Sequence, residues 1–110
     1  MIDDQYILFN EIDTLANLDG VNETVMFPAS AALGIEPVST TTTSIWFKAQ
    51  DGTADSDQIL FTHLAADRIA VYKALVQLLN TRTKAGYTVG ANVLTGTFPY
   101  KCTAVAVTLS

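Results

Sequence analysis

Only one histidine, His63, and one cysteine, Cys102, occur in this sequence. Joined by a fold, they could act as a nucleophile and its base, because a neighbouring imidazole draws the proton from a thiol. Separately they read as structural. Cys102 opens an apolar run, where cysteine ordinarily behaves as a small buried side chain. His63 ends a strand-like run, with no second histidine or cysteine beside it to share a metal. Asp51, Asp55 and Asp57 lie close together, but they miss the alternating oxygen ligands and closing Glu of a calcium loop and are expected at a solvated hairpin tip. Gly86, Gly90 and Gly96 fit turns rather than a phosphate cradle. No acid, base and nucleophile set is assembled, so neither an enzyme nor a metal or cofactor is expected.

Two further groupings could serve binding. Arg82, Lys84, Tyr87 and Lys101 combine positive charge with an aromatic face. Such a set can hold a phosphate and stack a base of single-stranded RNA, although an ordinary polar helix end has the same composition. The run Thr103-Ala104-Val105-Ala106-Val107-Thr108-Leu109 contains no charge and no proline. As an exposed edge it would invite pairing with another chain, so it is either a central strand or covered by a neighbour. Thr103, Val105, Val107 and Leu109 are the expected interface residues.

The composition points the same way. Hydrophobic residues make up 49% and charged residues 15%, against about a quarter charged in ordinary domains. A 110-residue chain with so few charges leaves apolar surface for another subunit, unless Thr and Asn cover it. Ten of its carboxylates and one lysine lie up to Leu60, giving −9, whereas Asp67 and five bases lie beyond, giving +4. The net −5 argues against general affinity for nucleic acid, while the asymmetry leaves room for a local basic face. The acidic N-terminus, Met1-Ile2-Asp3-Asp4, lacks the pattern of a signal peptide. With a single cysteine and no apolar run long enough to span a bilayer, a reducing cytoplasm and no membrane are expected.

These residues need a frame. One domain over 1–110 is expected, with 1–24 the least defined part. Tyr6–Phe9 is strand-like, and Asn10–Asn22 is ambiguous, with Ile12, Leu15 and Leu18 at helical spacing before Asp19-Gly20. Val25–Phe27 reads as a strand stopped by Pro28, and Ala29–Val38 as a loop because it holds Gly34 and Pro37. Thr40–Gln50 and Gln58–His63 form a hairpin around Asp51-Gly52. Ala65, Ile69, Tyr72, Val76 and Leu79 recur at helical spacing and predict the inner face of one helix. Leu75 and Leu78 widen that face, and Asp67, Lys73, Gln77 and Asn80 point away. Tyr87–Val89 and Thr103–Leu109 close the chain as strands. The expected fold is mostly β with one helix: a small, antiparallel, five-stranded, partly open barrel with the helix between the third and fourth strands.

Pro28-Ala29-Ser30, the Thr-rich strand, Ala66-Asp67-Arg68 followed by Lys73-Ala74-Leu75, and the closing Thr103–Leu109 run resemble small proteins of marine tailed phages that infect cyanobacteria. The likeness covers roughly residues 25–110. The strand order also resembles the Sm-like (SH3-like) barrel. That resemblance implies a homo-oligomeric ring built by pairing edge strands, acting as a scaffold or a weak single-stranded RNA binder. The phage likeness implies a virion component, such as a decoration or neck protein, with another phage protein as partner and the host cytoplasm or the virion as its place. The sequence departs from the Sm-like pattern where an Arg-Gly pair precedes the last strand, since here Thr95 precedes Gly96.

Overall fold

In the computed structural model, which describes residues 5–11, 24–49 and 56–108, two sheets face each other across a core of phenylalanines. The first sheet has three strands, in the order β2 (Thr24–Pro28), β1 (Tyr6–Asn10), β6 (Tyr87–Asn92). The second has four, in the order β3 (Ala32–Ser39), β4 (Thr42–Lys48), β5 (Ser56–His63), β7 (Cys102–Thr108). Helix α1 (Arg68–Asn80) joins β5 to β6. Among the described residues the architecture is therefore mostly β with one α-helix.

Alternation along the strands explains the layering. In β5 every second residue is buried, namely Asp57, Ile59, Phe61 and His63, as expected of a strand with one face on a core. Thr43, Ile45 and Phe47 of β4 and Val105 and Val107 of β7 complete that inner face. From the other sheet Phe9 approaches Phe47 and Phe61, with ring centroids 5.9 Å and 6.0 Å away. Phe27 stacks on Phe47 at 4.3 Å, nearly parallel. Rings at these separations attract by about 0.5–1.5 kcal/mol per pair beyond the area they bury. The two layers thus have a specific lock as well as apolar burial.

Several expectations need correction. Among the described residues the barrel is not closed and has seven strands, so the helix follows the fifth of them rather than the third. The segment Ala29–Val38 is not a loop. It begins with a short 3-10 turn, Ala29–Ala31, and then forms β3. Gly34 and Pro37 are tolerated because β3 is an edge strand, and its register shifts at both places. Pairing is antiparallel except between β1 and β6, which run parallel. A parallel pair needs a long crossover, and here most of the chain lies between its two strands. The ambiguous stretch around Ile12, Leu15 and Leu18, the turn Asp51-Gly52, and Leu109 lie outside the described residues.

The helix is present, but turned. Its core residues are Val71 and Leu75, both fully buried, with Leu78 and Leu79 packed beside them. Ile69 and Val76, expected inside, are 63% and 49% exposed. Ala65 precedes the helix in a 3-10 turn, Ala65–Asp67, and is exposed. Two apolar stripes overlap on this helix, and tertiary packing selects the one containing Val71.

Candidate functional site

The fold brings His63 and Cys102 together. They are cross-strand partners at the bulged end of the β5–β7 pairing. Both are buried. The imidazole, however, is fully engaged. Nδ1 lies 2.8 Å from the Leu64 carbonyl oxygen and Nε2 lies 2.8 Å from Thr43 Oγ1. A carbonyl only accepts, so Nδ1 carries the proton; in the neutral ring Nε2 then accepts from the Thr43 hydroxyl. Burial pushes the Cys102 thiol up to about 11, which disfavours the reactive thiolate. Neither group is arranged for nucleophilic chemistry.

Among the carboxylates of the acidic trio, Asp57 is buried on the inner face of β5 opposite Phe47. It is not at a solvated tip. Asp51 and Asp55 lie outside the described residues, and among the described residues no three of His, Cys, Asp and Glu gather as metal ligands do. A polar cluster built on the buried Asn10 closes one end of the three-stranded sheet. Asn10 Nδ2 donates to Asn92 Oδ1 at 2.9 Å, and Thr24 Oγ1 donates to Asn10 Oδ1 at 2.7 Å. Asn92 Oδ1 also accepts from the Leu94 amide at 3.1 Å, capping the turn that follows β6. Each polar atom named here has a partner, so the cluster ties β1, β2 and β6 together.

The basic and aromatic residues are distributed along the chain rather than gathered in one element. Arg82 and Lys84 lie past the helix end at Thr81, Tyr87 opens β6, and Lys101 sits in the turn before β7. Lys101 instead accompanies Tyr100, its ammonium 5.4 Å from that ring's centre. Tyr100 shares a groove with Ala70, Lys73, Ala74 and Gln77 of α1. A turn holds this arrangement: the Cys102 amide donates to the Pro99 carbonyl at 2.9 Å, and Lys101 takes a left-handed φ of 69°.

Apolar surface is the more prominent feature. Beside that groove, Tyr72, Lys73, Val76 and Gln77 line an open hollow of about 350 Å³ on the outer side of α1. Ile69, Val76, Leu64 and Tyr100 are all exposed large apolar residues. Sequence periodicity marks Ile69, Tyr72 and Val76 as apolar partners on the inner face, and the structure shows Ile69 and Val76 exposed with Tyr72 half-buried. Of the expected interface residues, Val105 and Val107 point into the chain's own core and Thr103 is exposed. What β7 offers outward is its main chain together with the small side chains of Thr103, Ala104, Ala106 and Thr108. No helix among the described residues is long and apolar enough to cross a membrane. Comparison with family models, with curated proteins and with solved structures returns no match.

Proposed function

We propose that this chain is a non-catalytic structural subunit that acts by assembling with further copies of itself, as a scaffold or virion component does. The outward apolar stripe of α1, the exposed Ile69 and Val76 with the half-buried Tyr72 between them, carries the reading. A helix that already buries Val71 and Leu75 gains nothing within one subunit from a second stripe, whereas a contiguous exposed apolar patch is what a protein contact uses. The chain's low charge content and the engaged state of His63 agree with it. Light scattering at micromolar concentration tests it. The expected result is a multimer whose mass falls in Ile69→Asp while the melting temperature stays close to that of the wild type. A monomeric wild-type protein overturns it.

A second reading, weak binding of single-stranded RNA, is favoured by Tyr100 with Lys101 and Lys73 beside it, because an exposed ring flanked by cations can stack a base and neutralise its phosphate. Arg82, Lys84 and Tyr87 belong to this reading only as further cations and a further ring between the end of α1 and the start of β6. Titration of a labelled oligonucleotide against wild type and Tyr100→Ala tests it. Equal affinity for the two removes it.

A further inference from the structure

The two sheets have four edges, and three are guarded. β3 carries Glu36 and Pro37 and is broken in register twice. β2 is five residues long and ends in Pro28. On β6 the register shifts around Gly90, and Asn92 exchanges both main-chain hydrogen bonds with Thr97, at 2.8 Å and 3.0 Å. Charges, prolines, bulges and short length are the devices by which proteins prevent edge-to-edge pairing.

β7 has no such guard over most of its length. From Ala104 to Thr108 its pairing with β5 is regular, without charge or proline, and among the described residues no strand pairs with its other side. Its single irregularity lies at the Cys102 end. We infer that this edge pairs antiparallel with β7 of a second copy across a two-fold axis, joining two four-stranded sheets into one continuous sheet. The occupant follows from charge and symmetry. A two-fold axis sets a strand antiparallel to its own copy, so a charge near the middle of the strand would lie close to its own like; β7 has none, whereas β3 carries Glu36 near its middle. The guarded edges of the same chain make poor mates for β7, which disfavours head-to-tail pairing into a ring. Five regular residues bury less than a standard interface, which needs about 1,600 Å² in total. The pairing is therefore expected in the micromolar range and independent of the α1 stripe.

Ala106 lies at the middle of this run and Ala104 at its start; both alternate outward and neither is fully buried. A two-fold axis centred on Ala106 sets it against its own mate, and one centred between the two alanines brings each within diagonal reach of its mate. The test uses the full chain carrying Ile69→Asp, so that any contact through α1 is removed, and reads mass by light scattering and fold by circular dichroism. A dimer is expected. Adding Ala106→Lys or Ala106→Glu should each give a folded monomer, and mixing the two should restore a dimer containing one of each. Ala104→Lys and Ala104→Glu repeat the comparison should either Ala106 variant fail to fold. A dimer insensitive to these charges, no recovery on mixing, or a monomer before they are added overturns the inference. The last outcome leaves the α1 reading standing if the wild type is a multimer.

Discussion

Thr43 Oγ1 and His63 Nε2 meet at 2.8 Å inside the four-stranded sheet, both residues almost wholly buried. The contact joins adjacent strands β4 and β5, and the His63 amide adds a main-chain bond to the Thr41 carbonyl at 2.8 Å. The sole histidine thereby fastens the end of β5 from which the chain leaves for α1.

Thr43→Val keeps the side-chain shape and removes the hydroxyl. Nε2 is then left without its partner in the interior, at a cost of about 1–3 kcal/mol. Urea denaturation should show this as a lower midpoint with an unchanged slope. A variant as stable as the wild type would mean that the contact contributes nothing net.

Cys102 gives a pH signature. Its thiol is raised from 9.0 to about 11 by burial. The folded state therefore holds the proton more tightly than the unfolded state. The stabilising contribution is complete below 9.0 and is lost as pH rises toward about 11. Thermal melts across that window should fall more steeply for the wild type than for Cys102→Ala. Near neutral pH a thiol reagent should label the native protein slowly and the denatured protein at once.

The orientation of α1 is tested by two neighbouring residues. Leu75→Ala opens a cavity in the core and should cost about 2–5 kcal/mol. Val76→Asp places a charge where the side chain is 49% exposed, and should change subunit stability by less than about 1 kcal/mol. Equal losses would mean that the helix is rotated.

That helix also shows how far the sequence can be read. Its existence was legible because apolar residues recur at intervals of three and four over several turns. Its facing was not, because Val71-Leu75-Leu78 and Ile69-Tyr72-Val76 satisfy the same period and only the sheets beneath decide between them. β4 and β5 were legible from β-branched and aromatic runs. β3 was hidden behind Gly34 and Pro37, which signal loops in general but are admissible on an edge. The parallel β1–β6 pair leaves no local trace, since its strands lie at opposite ends of the chain. Cys102 beside His63 was foreseeable only as a conditional, and the hydrogen bonds that disarm the pair come from Thr43 and Leu64, which no spacing rule singles out.

Lys101 occupies the third position of the Pro99–Cys102 turn with φ 69°, a conformation that costs a side chain about 1–2 kcal/mol. Lys101→Gly should relieve most of that strain, less the extra freedom glycine has when unfolded, and raise stability by about 0.5 kcal/mol. Lys101→Val should lower it, because a branched side chain is least suited to a left-handed backbone. Melting temperatures in the order Gly, Lys, Val would establish the turn as strained. The reverse order would place the residue in an ordinary backbone region.

Gly90 is needed for a different reason. A Cβ built there would lie 2.5 Å from Phe9 Cε1 and 2.8 Å from Ile7 Cγ2, closer than non-bonded carbon atoms approach. Both side chains are buried at the centre of the core, and Phe9 is held by ring contacts to Phe27, Phe47 and Phe61. Phe9 cannot retreat without disturbing three other rings. Gly90→Ala should therefore cost at least about 1–3 kcal/mol, the range for overpacking a dense core, although alanine is otherwise the milder residue in a strand. If Phe9→Leu, destabilising alone by its smaller volume, makes Gly90→Ala less harmful in the double variant, the clash is with that ring. Strictly additive losses would place the damage in the β1–β6 backbone, at the bulge where Gly90 sits.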